Sequence, residues 1–200
     1  MKIKELFCSV VDFTPEEMEE IESHFIPCRF KKGTYIKKEG DIWRHVYFLR
    51  SGIVRTFFID TDGKDFTWLI HYNGEYANEK YVFVVDFASF IMQEPSKFYA
   101  EVLEDVEAYA ISYETVRQLE NKSVNFLKFT KIMAELAYYH KHVRTLSLLT
   151  ESAEERYHRM LQENPSLFQM VPLYYIASYL GITPQSLSRI RKKYATMNKS

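Results

Sequence analysis

The chain has 200 residues, 26 Lys plus Arg against 27 Asp plus Glu, and 46% hydrophobic residues, enough for one large or two small domains with a sizeable core. The near-neutral balance excludes a globally basic nucleic-acid coat. Two cysteines, Cys8 and Cys28, exclude a disulfide scaffold and an iron–sulfur cluster held by four thiolates, and they fit a reducing compartment.

No signal-peptide pattern opens the sequence, and no apolar run approaches membrane-spanning length, Tyr81–Val85 being about the longest. A cytoplasmic protein without a membrane partner is expected. Thr14-Pro15-Glu16-Glu17 reads as a capping box with proline at the first helical position, continued by Met18, Ile21, Glu22 and Phe25. From Phe30 onward, short runs rich in Val, Ile, Phe and Tyr alternate with glycines. Gly33, Gly40, Gly52, Gly63 and Gly74 fall at the breaks, a spacing that predicts a β-barrel or jelly roll. Asp62-Gly63 is the clearest hairpin turn, and a second β run, Phe98–Ser112, closes this part.

Helix then takes over. Phe129, Ile132, Leu136, Tyr139, Val143 and Leu146 step by three and four, a heptad seam on one long helix. A helix packed on a β-roll wants a wider stripe, so the narrow seam predicts a partner helix, most simply that of a second copy. Burial against the chain's own barrel is the alternative. Ser152 caps a further helix. Three parts result: a roll over 1–120, a long dimerisation helix over 121–150 and a helical end over 151–200.

Val171–Tyr194 reads as two short helices joined by a tight turn. In the first, Leu173, Ile176, Ala177 and Leu180 form one apolar stripe. Gly181 tolerates the left-handed backbone of the turn. Thr183 is a good N-cap with Pro184 at the first helical position. The second helix turns Leu187, Ile190 and Tyr194 inward, leaving Gln185, Ser188, Arg189 and Lys192 on the opposite face. Polar side chains with cations behind them suit a helix in a major groove. No acidic residue follows Glu163, while Arg189, Arg191, Lys192, Lys193 and Lys199 crowd the end, a local basic footprint for a duplex. An ordinary helical hairpin with a solvated basic end is the plainer reading.

Phe30–Phe58, FKKGTYIKKEGDIWRHVYFLRSGIVRTFF, resembles the cyclic-nucleotide-binding β-roll, whose hallmark is aromatic-x-x-G-x-x-I-x-x-E-G-D, then Y-F-(I/L), then G-x-(V/I). With a long helix and a helix-turn-helix after it, nearly the whole chain resembles the Crp/Fnr family of bacterial transcription regulators. The resemblance implies an α+β fold: a jelly-roll sensor domain, a dimerisation helix and a winged-helix-like helix-turn-helix domain. It implies a homodimer, not an enzyme, whose recognition helices enter successive major grooves of a palindromic double-stranded DNA site, with RNA polymerase as a further partner. By motif position Thr183 contacts phosphate and Gln185 and Arg189 read bases. Ser188 and Lys192 lie beside them, and Ser186, Arg191 and Lys193 complete the DNA-binding set. Pro184 stands where the family often has a base-reading arginine, so the sequence preference should differ.

The departures concern the effector. The matching stretch offers Tyr72, Gly74, Glu75, Tyr81, Phe83, Ser96, Lys97 and Tyr99 as pocket residues. Gly74-Glu75 keeps the strand-turn element, but Ser96 stands where the phosphate-pairing arginine belongs. Lys97 offers a point charge without the bidentate fork, and Phe98 is large where the family has a small residue. These differences argue against cAMP held by the usual contacts and leave another small-molecule effector open; no cofactor and no metal are expected. Tyr72, Tyr76, Tyr81, Phe83 and Tyr99 either line an apolar site or simply fill the cavity, and filling is the default for aromatics in a small roll. His71 is the one haem-ligand candidate near the pocket and reads more naturally as structural. His140 and His142 read as solvated positions on the long helix. A second reading keeps the roll as a ligand-binding module whose helical end contacts a protein. A cupin-type metalloenzyme would need a His-x-His pair, and the strands offer only scattered His45 and His71.

Overall fold

The structure is a computed structural model and describes residues 2–74, 77 and 79–197. Two short helices, α1 (Ile3–Val10) and α2 (Pro15–Ser23), lead into the strands β1 (Ile26–Phe30), β2 (Tyr35–Lys37), β3 (His45–Ile59) and β4 (Asp65–Tyr72). A connection follows with α3 (Glu79–Val82), β5 (Phe83–Val84) and α4 (Phe87–Met92), before the long return strand β6 (Tyr99–Ser112). The rest is helical: α5 (Tyr113–Lys122), α6 (Val124–Thr150), α7 (Ala153–Glu163), α8 (Leu167–Met170), α9 (Leu173–Leu180) and α10 (Pro184–Met197).

The capping box is real. Glu17 N donates to Thr14 Oγ1 at 3.2 Å, and Thr14 N donates back to Glu17 Oε2 at 3.0 Å, satisfying two helix-end donors reciprocally. The helix before it, α1, is not announced by the sequence pattern. Phe7 on α1 stacks on Phe129 of α6 at a centroid distance of 3.8 Å, so α1 forms because tertiary packing covers its apolar face.

The strands form one antiparallel sheet in the order β1-β6-β3-β4, with β2 on β6 and β5 on β3. The spine is the pair β3–β6, registered from His45↔Ser112 to Phe57↔Tyr99 with bulges near Leu49 to Val54; such bulges bend and twist a long pair. Between β3 and β4 the turn at Asp62-Gly63 is present, yet the loop runs from Asp60 to Lys64 instead of two residues. Asp60 Oδ1 accepts from Asp62 N at 3.0 Å and from Lys64 N at 2.9 Å, and Gly63 takes φ +77°. The Asp60 side chain supplies the turn's acceptors, so the strands part earlier than a two-residue hairpin requires.

Two cores result. One fills the roll and gathers Phe7, Met18, Trp43, Phe48, Leu49 and Val102 with Phe126, Phe129 and Met133 of α6. The other joins Ile53, Ile70, Tyr72 and Tyr81 of the roll to Tyr157, Met160, Ile176, Ala177, Leu180 and Leu187 of the C-terminal helices. The C-terminal helices are therefore packed on the roll rather than tethered beside it. Full burial of Ile176 and Leu180 contributes about 1.5–3 kcal/mol each.

The seam on α6 divides. Phe129 is buried, Ile132 and Leu136 pack against the roll, and Tyr139, Val143 and Leu146 are exposed. A seven-residue repeat drifts by about 20° per heptad on a straight helix, so a stripe that starts against the roll ends facing outward. Tyr138 and Leu149, outside the expected seam, add to the outward apolar face at 72% and 76% exposure. The expectation of one seam devoted to a partner is corrected to a helix buried on its own roll in its first half.

Candidate nucleic-acid interface and effector cavity

The C-terminal motif folds as a tight helical corner. Gly181 closes α9 with φ +71°, and Ile182 N donates to Ala177 O at 3.0 Å, the bond that ties a glycine-ended helix to the chain leaving it. Thr183 then caps α10, its Oγ1 accepting from Ser186 N at 3.2 Å. Leu173, expected on the inward stripe, is half-exposed in the first turn of α9, and Tyr175 takes the inward place beside Ile176, Ala177 and Leu180. Among the described residues no strand follows β6, so the corner carries no strand wing here.

On α10, Leu187 is buried and Ile190 and Tyr194 are half-buried against α7 and α9. Gln185, Ser188, Arg189 and Lys192 are exposed on the other side, with Thr183 at the end. Arg189 Nη2 lies 3.5 Å from Ser186 Oγ, which leaves the guanidinium fork open. Lys193 differs from its neighbours: its Nζ bonds both oxygens of Glu154 on α7, at 2.8 and 3.0 Å. This exposed pair links α10 to α7 on the same side of the helix as Arg189. Arg191 is exposed on the flank, and Lys199 lies outside the described residues.

The corner is held on the roll by polar contacts. Ser178 Oγ accepts from Thr67 N at 2.9 Å and donates to Asp65 O at 3.1 Å. Tyr72 Oη donates to Asn164 Oδ1, and Asn164 Nδ2 donates to Tyr81 Oη at 2.8 Å. Arg55 is the centre of this contact. Its guanidinium carbon lies 3.9 Å from the ring centroids of both Phe57 and Tyr175, and its nitrogens pair Asp65 at 2.6 Å and Glu101 at 2.8 Å. An arginine in the middle of a strand carries no sequence signal of such a role, because its partners come from β4, β6 and α9.

A cavity of about 80 Å³ lies between the roll and α6. Thr56, Trp68, Leu69 and His71 line it from the sheet, Phe83, Val85, Asp86, Phe87 and Phe98 from the connection, and Met133, Ala137, His140, Lys141 and Arg144 from α6. Of the described residues placed in or near the pocket from the sequence, His71, Phe83 and the oversized Phe98 take part. Tyr72 and Tyr81 face the C-terminal helices instead, Lys97 and Gly74 are exposed, and Tyr99 stacks on Phe57 with its Oη on Glu39 at 3.3 Å. Glu75 and Tyr76 lie outside the described residues. Ser96 is buried but spent: its Oγ donates to Asp86 Oδ2 at 2.8 Å and accepts from Phe98 N at 2.9 Å. The cations of the cavity come from α6, far from Ser96 in sequence, so the residues around Ser96 do not announce them.

Burial sets the electrostatics of this cavity. It lowers the Lys141 ammonium and the Arg144 guanidinium from their usual values, with Asp86 opposing the shift at Lys141; a guanidinium stays charged regardless. Burial also pushes His71 down to about 3, so the ring is neutral and serves as a hydrogen-bond partner of Thr56 Oγ1 at 3.2 Å. The structural reading of His71 fits this geometry, whereas His140, expected in solvent, lines the cavity. The unfolded chain protonates this histidine near pH 6.5 and the folded chain does not, so stability is intact above pH 6.5 and is lost as pH falls toward 3. We expect a loss of about 1.4 kcal/mol per pH unit below 6.5 from this group. Urea unfolding at pH 7 and pH 5.5 checks it, and His71→Leu should flatten the slope.

Residues 27–123 match the family model of the cyclic nucleotide-binding domain. No curated sequence matches the chain. Among solved structures the chain is similar to the c-di-GMP-responsive global regulator CLP of Xanthomonas campestris, at 18% identity and TM-score 0.69, covering 92% of this chain and 93% of that one. It is similar to FixK2 of Bradyrhizobium japonicum, at 19% identity and TM-score 0.69, covering 87% and 86%. It is also similar to the catabolite activator protein of Thermus thermophilus, at 22% identity and TM-score 0.53, covering 94% and 86%. Among the described residues no helix is long and apolar enough to cross a membrane, and no His, Cys, Asp and Glu cluster could hold a metal.

Proposed function

From a chain whose residues 27–123 belong to the cyclic nucleotide-binding domain family and whose fold is that of Crp/Fnr regulators, we propose a homodimeric, sequence-specific reader of double-stranded DNA that regulates transcription. The observation that carries this is α10: an exposed face of Gln185, Ser188, Arg189 and Lys192, opposite a buried Leu187 and beyond a capped turn. That face presents hydrogen-bond donors and acceptors to base edges with positive charge for phosphates. The cavity between roll and α6 is the effector site of this reading. Its occupant is not cAMP held in the usual way, because Ser96 is committed to Asp86 and no arginine of the roll lines the cavity.

The exposed residues Tyr138, Tyr139, Val143, Leu146 and Leu149 on one side of α6 support pairing with a second copy, since an apolar face this long is a liability when left in water. Leu146→Glu should turn a dimer into a monomer in sedimentation at micromolar concentration, without loss of helical signal. A wild-type protein that sediments as a monomer under the same conditions refutes the pairing.

The DNA reading is tested by selection from random duplexes with the purified protein. Enrichment of a palindrome with half-sites about one helical turn apart is the expected result. Absence of any enriched sequence, with the dimer intact, would favour the second reading, in which the helical end contacts a protein.

A further inference from the structure

The cavity between roll and α6 carries more information than its position. Charge enters it from α6 rather than from the roll. Arg144 Nε is buried without a hydrogen-bond partner, and among the described residues no carboxylate pairs with this guanidinium. Its Nη2 is occupied, donating to Thr67 O at 3.1 Å and Tyr179 O at 2.8 Å, and the group stacks on the Tyr179 ring at 3.8 Å. Lys141, one turn earlier, lines the same cavity and forms no ion pair among the described residues. Among the described residues the one carboxylate in the wall, Asp86, is held by Ser96 Oγ and Ala88 N. Two partly buried cations, one of them with a fully buried Nε, thus face a cavity with one committed anion among the described residues, an arrangement that costs free energy until a negative charge completes it.

Size narrows the ligand. An apolar cavity of about 150 Å³ takes up a benzene ring. This one, at about 80 Å³, is smaller and holds about four or five heavy atoms against its walls. The remaining wall is apolar, from Leu69, Phe83, Val85 and Met133, so a bare inorganic anion would leave it unused. We infer that the cavity binds a two- or three-carbon carboxylate, its charge held by Lys141 and Arg144 and its short tail against the apolar wall. This rests on the reading of the cavity as the effector site and names the ligand class. Because Arg144 also bonds β4 and α9, a bound carboxylate fixes the residue through which α6 holds the DNA-reading corner to the roll, favouring the arrangement seen here.

The test titrates the full chain with acetate, propionate, propionamide, nitrate and benzoate, by calorimetry and thermal shift. Propionate is expected to bind saturably at one site per chain and to raise the melting temperature. Propionamide, of the same shape without the charge, should bind at least about tenfold more weakly. Lys141→Met, which removes one cation, and Ala137→Leu, which fills the space, should each weaken propionate by about tenfold or more while melting close to the parent. Any of three results overturns the inference: no saturable propionate binding, equal binding of propionamide, or nitrate binding as tightly as propionate, which marks an adventitious ion only. The duplex selection needs no carboxylate, so a failure of ligand binding and a failure of DNA reading are seen separately.

Discussion

Replacing Arg55 by methionine is expected to lower the stability of the whole chain by about 3–5 kcal/mol, the usual consequence of removing one partner from a buried ion cluster. The Arg55 side chain is 4% exposed, and the two carboxylates it neutralises differ in burial, Glu101 at 16% and Asp65 at 38%. Without the guanidinium, Glu101 stays in a poorly solvated position with only Tyr175 Oη, 3.3 Å away, to bond it. The two rings at 3.9 Å also lose the cation between them. Because Tyr175 belongs to α9 and Phe57 to β3, the loss falls on the contact between roll and C-terminal helices. Chemical denaturation should therefore show a lower midpoint and a first transition that exposes the corner. Lys31→Ala is the contrast: its pair with Asp105 at 2.7 Å joins side chains 84% and 57% exposed, and such pairs are worth about 0–1 kcal/mol. Equal midpoints for Arg55→Met and the parent would show that the cluster is no stronger than a surface pair.

Arg189→Ala should weaken binding to the selected operator by about 10- to 100-fold, the 1–3 kcal/mol of a lost base-edge contact, and should relax preference at one base pair. Lys193→Ala is the informative companion. By sequence the two cations belong to one basic cluster, but Lys193 is bonded to Glu154 of α7, so its removal should change operator affinity far less and leave preference untouched. Both variants keep Leu187 and the Thr183 cap, so folding should be unaffected. Titration of labelled operator and single-base variants at fixed salt gives both quantities. If Lys193→Ala costs as much as Arg189→Ala, the outward face has been assigned wrongly.

The sequence made some things plain and left others silent, for reasons particular to each element. The β3–β4 turn and the caps at Thr14 and Thr183 were legible because turn and cap chemistry is local: a few adjacent residues supply both donor and acceptor. The β runs and the inward set of α10 were legible because burial imposes a period. Helix α1 was not, since its packing on Phe129 joins residues more than a hundred positions apart. The pocket was the plainest miss: Tyr72 and Tyr81 share aromatic character with true cavity residues, and only the placement of β4 and α3 against the C-terminal helices decides that they turn toward Asn164.

By itself, then, the sequence determined the order of parts and the helical corner with its outward Gln185 and Arg189, and it placed Ser96 where the resemblance expects a phosphate-pairing arginine. Tertiary structure alone decided that Arg55 clasps the corner to the roll, that Lys193 is spent on Glu154, and that the cavity takes its charge from Lys141 and Arg144. The physical reason is range. Caps, turns and periodicity are written within a turn or two of chain, whereas the partner of a charged side chain is whatever the fold brings within about 4 Å: for Arg55 and Lys193 carboxylates, for Arg144 two carbonyls, each from another element.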